Sequence, residues 1–367
     1  MKKIKLFFAG LICIALLLSA CSSNKTSVVP DNTSVTEPNK EAVVTEAPKE
    51  IIKMKAGYAP GIGNLLSFIA DDSGIFAKEG IDVELVPFSN SSDGLNALNA
   101  GKIDIGVSFG TAAPLTFVTQ GVDFSFFGGY LSGGHPVLAK ADLEYNSIED
   151  FKGKTVATAR LYTPDIAWRT AMLNAGIDIE KDLTVIEVKR PADMLEIIKS
   201  GKADIGIGTG SIYAKAIESD LKAITWSNDL LDNHVCCRPV AKTAWINENP
   251  ELAKAFLRSF IQAEKIYVEN PEYAVDVNAK YLELDHELAR ILTLESNQII
   301  EADPKSHGIQ EMWQGLHDID YLNSPDIDVN NHINTLLYKK ALDELTAENP
   351  NDPFYAKLQT RYSTNNE

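Results

Sequence analysis

Four short loops carry the side chains best suited to gripping a small molecule. The first is Tyr58-Ala59-Pro60-Gly61-Ile62-Gly63-Asn64. Its glycines allow close backbone approach, and Asn64 can cap a helix or touch a ligand. The second is Gly110-Thr111-Ala112, where Thr111 caps a helix with its hydroxyl and the following amides facing a cleft. The third is Arg160-Leu161-Tyr162-Thr163-Pro164-Asp165. Arg160 is the cation of this loop, and its planar fork suits a sulfonate or carboxylate. Thr163 caps a helix whose first turn holds Pro164. The fourth is Gly208-Thr209-Gly210-Ser211, a counterpart of the Thr111 turn. Each also has a plain structural reading as a strand-to-helix turn or a cap, with Arg160 paired to a surface acid. Tyr130, among Gly128, Gly129, Gly133 and Gly134, either stacks on a planar ligand or fills a crossover between domains. Two ligand chemistries therefore stay open. A small oxyanion suits Arg160 and paired helix N-termini, while a planar heterocycle suits Tyr58, Tyr130, Tyr162 and Trp168.

Catalytic chemistry has little to work with. The sequence holds no HExxH and no Walker loop. His234-Val235-Cys236-Cys237-Arg238 is the one cluster of soft ligands. Adjacent cysteines cannot staple a loop, and the spacing is wrong for a closed zinc set. The pair reads as small buried core residues, and neither metal nor cofactor is expected.

Something must hold these loops in place, and an internal repeat says what. Residues 94–111 read GLNALNAGKIDIGVSFGT and residues 194–211 read MLEIIKSGKADIGIGTGS. Gly101-Lys102-x-Asp104-Ile105-Gly106 thus matches Gly201-Lys202-x-Asp204-Ile205-Gly206 at an offset of 100 residues. In each copy an amphipathic helix ends at a glycine suited to a left-handed C-cap. A buried strand and a Gly-Thr or Gly-Ser turn follow, which is one step of an α/β layer. A period this long is no solenoid and means two related lobes. Each lobe reads strand-helix-strand-helix-strand. Its members are 53–59, 65–79 and 82–86 in the first, and 155–159, 165–175 and 183–188 in the second. After about residue 247 the pattern turns helical. Asn249-Pro250-Glu251 and Asn270-Pro271-Glu272 are start signals, and further helices are expected near 284–301 and 332–347. These helices are expected to pack on the first lobe.

The N-terminal end reads as an address. Lys2, Lys3 and Lys5 precede an apolar run from Leu6 to Leu18, too short to span a bilayer. Leu18-Ser19-Ala20-Cys21 resembles the lipobox of bacterial lipoproteins, which implies cleavage before Cys21 and acylation of its thiol. Residues 22–50, rich in Ser, Thr, Asn, Pro, Glu and Lys, read as a flexible tether. The expected location is the extracytoplasmic face of the cell membrane, anchored through lipid at Cys21. The formal net charge of −17 argues against a nucleic-acid partner.

Met54 to Val86, the two Gly-Lys-x-Asp-Ile-Gly strands, Ile148 to Lys154, and Asn249-Pro250-Glu251-Leu252 ahead of a Phe-rich helix carry a resemblance. Together they resemble periplasmic-binding-protein-like folds of the sulfonate, nitrate and thiamine-precursor group. The resemblance implies an α/β, two-lobe, type II periplasmic-binding-protein-like fold with a two-strand hinge and a helical C-terminal extension. The expected segments are a lipoprotein signal peptide at 1–20, a lipidated Cys21 and tether at 21–52, and lobe I at 53–137. Lobe II follows at 138–238, then a return to lobe I with C-terminal helices at 239–367. It implies a solute-binding lipoprotein, not an enzyme, that hands a sulfonate, taurine, nitrate-like or other small organic anion to the permease subunits of an ABC importer. The alternatives are a binding protein for a pyrimidine or other planar heterocycle, or a synthase of thiamine precursors. The expected contacts are Tyr58, Pro60, Asn64, Gly110, Thr111, Tyr130, Arg160, Tyr162, Thr163, Gly210 and Ser211. The turns Gly110-Thr111 and Gly210-Ser211 are expected to face each other across the cleft.

Overall fold

The repeated Asp shows how the sequence lays down its sheets. Asp104 accepts a hydrogen bond at 2.7 Å from the Lys55 amide, and its own amide donates to the Lys55 carbonyl at 2.9 Å. Asp204 does the same with Thr155, at 2.8 Å in both directions. Lys55 and Thr155 are themselves 100 residues apart. The Asp therefore pins the start of each repeat strand to the first strand of its own lobe. Gly101 and Gly201, just before, adopt φ of +68° and +73°, the left-handed helix ending expected there.

The computed structural model describes residues 51–60, 64–232, 234–322 and 327–367. The leader, Cys21 and the tether lie outside the described residues, as do Gly61, Ile62 and Gly63. Along the chain come β1 (Ile52–Tyr58), β2 (Ile81–Pro87), β3 (Ile105–Gly106), β4 (Phe124–Phe126), β5 (Leu131–Gly133) and β6 (Pro136–Lys140). They are followed by β7 (Thr155–Ala159), β8 (Thr184–Val188), β9 (Ile205–Ile207) and β10 (Leu221–Trp226). β11 (Val235–Cys237), β12 (Val240–Lys242) and β13 (Gln298–Ile300) complete the set.

One five-stranded sheet has the order β2-β1-β3-β12-β4, and the other has the order β8-β7-β9-β6-β10. The two orders match place for place. β1 runs parallel to β2 and β3, as β7 does to β8 and β9. The fourth place in each sheet is held by an antiparallel strand that has just arrived from the other lobe: β12 beside β3, and β6 beside β9. The sheets are thus two α/β lobes that exchange a strand, the two-lobe periplasmic-binding-protein-like fold.

Between the lobes lies a third, smaller sheet. β5 pairs antiparallel with β11 and, on its other edge, with β13. The two strands expected to carry the crossing are β5 and β11, and β13 joins them as a third strand of the sheet. The helix expected near 284–301 stops at Leu294, and Asn297 turns to a φ of +55° before β13. A helix expected to run unbroken over 65–79 is likewise split, into Leu65–Asp72 and Ile75–Lys78, by Gly74 at a φ of +69°.

The helices Pro250–Glu269, Pro271–Leu282 and Leu336–Glu348 bury Phe256, Phe260, Leu337 and Leu342 in one cluster with Met54, Phe68 and Val83 of the first lobe. That is the packing expected of them. The helix Ser306–Asp318 does something else. It packs on Ala112–Thr119 of the first lobe and on Thr163–Asn174 of the second, and so bridges the two. No helix among the described residues is long and apolar enough to cross a membrane.

Candidate ligand site at the lobe crossing

Both repeat turns end on the small central sheet. In the first lobe, Gly110 adopts a φ of +82°, and its amide donates to the Cys237 sulfur of β11. Thr111, fully buried, donates its hydroxyl to the Cys236 carbonyl at 2.9 Å instead of capping the helix it precedes. From the second lobe, Thr163 donates to the same carbonyl at 3.3 Å. A Cβ built on Gly110 would stand 3.4 Å from the Thr163 hydroxyl. Lobe one and lobe two therefore meet on one carbonyl oxygen of the hinge strand.

The second repeat turn reaches the same sheet from another side. The Gly210 amide donates to His135 Nδ1 at 3.4 Å. His135 follows β5, and its backbone is fixed by Ser227, whose hydroxyl and amide it meets at 3.2 and 2.8 Å. Its ring lies 6.1 Å from that of His234, which precedes β11. Both rings are buried. Burial, and then the neighbouring His234, pushes the His135 pKa down to about 3. Burial pushes His234 down to about 4, with Lys305 and Arg238 acting in the same direction. Both imidazoles are neutral near pH 7. Ser211 is exposed and shares a hydrogen bond with Thr209 at 2.8 Å.

A buried ion pair locks the crossing beneath these rings. Arg238 is fully buried and uses its whole guanidinium. Nε donates to the Pro304 carbonyl at 2.9 Å, and Nη1 donates to the carbonyls of Leu131 and Cys237, both at 2.8 Å. Nη2 reaches Ser132 at 2.8 Å and Glu301 at 3.1 Å. Burial works to raise the Glu301 carboxyl, but Arg238 and Lys305 outweigh it and hold the pKa below the ordinary value. All three central strands or their flanks are tied through one side chain.

The remaining expected residues fall in different places. Asn64 is buried; its amide donates to the Ala59 carbonyl at 2.8 Å, and its oxygen accepts from Tyr130 at 3.3 Å. Tyr130 is fully buried in the hinge, stacked 5.3 Å from Phe260, with its hydroxyl on Ser67 at 2.8 Å. It fills the crossover. Tyr58 is half-buried and meets Phe68 edge-on, while Pro60 is exposed. Tyr162 is half-buried and precedes the helix that Thr163 begins, one residue earlier than the cap expected from sequence. Arg160 is exposed, 3.3 Å from Glu187 and 4.3 Å above the Tyr321 ring. This is the pairing with a surface acid that its plain structural reading anticipates. The buried carboxylate nearby is Asp165, held by Thr158 and Arg169, each at 2.9 Å, and by Tyr321 at 3.2 Å. The structure thus brings Gly110, Thr111, Thr163 and Gly210 to the crossing. It leaves Pro60, Arg160 and Ser211 at the surface.

Residues 65–274 match the family model described as NMT1/THI5 like. The chain belongs to the NMT1/THI5-like family. A putative binding protein of Brucella abortus is 26% identical over 241 residues, covering 64% of this chain and 73% of that protein. The formylaminopyrimidine-binding protein of Halalkalibacterium halodurans is 23% identical over 287 residues, covering 76% and 78%. Among solved structures, the periplasmic aliphatic sulphonate binding protein of Escherichia coli superposes with a TM-score of 0.65 at 18% identity. That match covers 78% of this chain and 99% of that structure. NMT1/THI5-like proteins therefore share this fold with relatives named for quite different small molecules.

Proposed function

We propose that this chain is the solute-binding component of an ABC-type importer. It takes up a small molecule between its two lobes on the extracytoplasmic side and presents the closed form to the permease subunits. The observation that carries this reading is the convergence of three turns on one hinge sheet: Thr111 and Thr163 on the Cys236 carbonyl, and Gly210 on His135. Lobes that meet this way can open and close about the hinge, and a ligand that bridges them favours the closed state. Binding breaks no bond, so neither nucleophile nor general base is required. The names of the relatives support a ligand that is either a small organic anion or a pyrimidine. Acylation of Cys21 would keep the protein beside the permease, with residues 22–50 as the tether.

A thermal-shift screen of the protein against sulfonates, nitrate and nitrogen heterocycles tests the binding role. One class should raise the melting temperature saturably, by the linkage between binding and folding. Flat melting curves across the whole set would count against solute binding. Cys21→Ser should release the protein from membranes into the medium; retention would remove the anchor.

A further inference from the structure

We propose that His135 and His234 form a paired recognition edge for an uncharged ligand group that places a hydrogen-bond acceptor beside a donor. A lactam, an amide or an aminopyrimidine edge has this character. The inference rests on the solute-binding reading and deepens it by naming the ligand class.

The tautomers follow from the partners. A neutral imidazole has one N–H and one lone pair, and whatever satisfies one nitrogen decides what the other offers. His135 Nδ1 accepts from the Gly210 amide at 3.4 Å. A backbone amide can only donate, so Nδ1 holds the lone pair and Nε2 carries the proton. His234 Nδ1 lies 2.9 Å from the Leu231 carbonyl, which can only accept. There Nδ1 carries the proton and Nε2 holds the lone pair. The two rings, 6.1 Å apart, thus present opposite chemistry: a donor from His135 and an acceptor from His234.

Neither Nε2 atom has a hydrogen-bond partner among the described residues, and both are buried. A buried polar atom left unpaired costs roughly 1–3 kcal/mol, so each Nε2 calls for a partner, and one group that both accepts and donates would serve the two at once. The two rings do not satisfy each other. The partner must accept from one and donate to the other. A pure acceptor such as nitrate or an alkanesulfonate leaves the His234 lone pair facing oxygen. The two cations that act on His234 are already committed: Arg238 to Glu301 and backbone carbonyls, and Lys305 to Glu301 at 3.7 Å. The location is also the right one. His135 lies between β5 and β6, and His234 directly precedes β11, so the pair flanks the strands by which the chain passes between lobes. Gly210 adds the repeat turn of lobe two. A group held by both rings would report lobe position directly to the hinge.

The test uses the whole chain with isotopically labelled histidine and reads the imidazole nitrogens by NMR. Before ligand, His135 should show the Nε2–H form and His234 the Nδ1–H form. Titration with 4-aminopyrimidine, cytosine and uracil should shift both Nε2 signals saturably, while methanesulfonate and nitrate should not. Blocking the donor or the acceptor by N-methylation of the heterocycle should weaken binding at least tenfold. His135→Gln and His234→Gln, checked for native melting, should each lose at least tenfold in affinity. The labelled wild-type protein decides the matter should either variant misfold. Saturable binding of methanesulfonate or nitrate with both Nε2 signals unmoved overturns the histidine edge and leaves solute binding intact. The reverse tautomer at either ring also overturns it. Failure of every probe to bind counts against both the edge and the solute-binding reading.

Discussion

At the scale of single residues, the crossing depends on charges and protons kept out of water. Arg238 and Glu301 are a buried pair in which every guanidinium nitrogen has a partner. Removing Arg238 takes one cation from the buried Glu301 carboxylate and leaves Lys305 at 3.7 Å; breaking such a buried pair typically costs about 3–5 kcal/mol. Arg238→Ala should lower the unfolding free energy by that order, measured by denaturant unfolding, and loosen β5 against β13. The histidines add a pH dependence whose sign follows from linkage. Both folded-state pKa values, about 3 and about 4, lie below the ordinary 6.5. Between those limits the unfolded chain binds more protons than the folded one, so stability is full above about pH 6.5 and declines on acidification. Each histidine should cost about 2 kcal/mol by pH 5, since one pKa unit is worth about 1.4 kcal/mol. Melting temperatures from pH 7 to 5 should therefore fall in the wild type and fall less in the His135→Gln, His234→Gln double variant. Glu301, whose pKa is lowered in the fold, adds a further loss as the pH drops through and below its ordinary 4.5.

Elements differ in how much of them the sequence makes legible. The Gly-Lys-x-Asp-Ile-Gly repeat is legible because its residues act locally. One glycine is left-handed, the Asp pins the first strand, and the last glycine packs without room for a side chain. A Cβ on Gly106 would meet Phe109 at 2.7 Å, and one on Gly206 would meet Met194 at 2.8 Å. Local constraints leave local signatures. β13 leaves none, because its pairing with β5 joins segments more than 160 residues apart and Gln298–Ile300 is too short to show a period. Arg238 stands out in an apolar stretch, yet its partner Glu301 is 63 residues away and reached only through that pairing. His135 is hidden for the same reason, although Gly133-Gly134-His135-Pro136 marks a break in the pattern. The loop residues are harder still. Helix starts announce themselves by residue type, but the side a hydroxyl faces depends on tertiary contacts, so Thr111 turns to Cys236 and Arg160 to Glu187. The duplicated Asp offers a direct check of the repeat logic. Asp104→Ala and Asp204→Ala should each cost about 1 kcal/mol, by thermal unfolding, from the loss of a partly solvated hydrogen bond. The two losses should be similar in size and nearly additive, since the sites lie in separate sheets.

At the scale of the whole molecule, two lobes of one topology share a strand-exchange hinge and, on the proposed function, close on a solute. Ser89 and Lys189 are exposed, follow β2 and β8, and stand at equivalent places in the two lobes. Spin labels on Ser89→Cys and Lys189→Cys therefore report lobe separation. Cys236 and Cys237 are buried and should stay unlabelled in the native protein. The most direct measurement is the distance distribution between these labels with and without a solute that binds. Closure about the hinge requires a broad or longer distribution in the free protein that collapses to one shorter distance at saturation. A distribution unchanged by a saturating solute would contradict it.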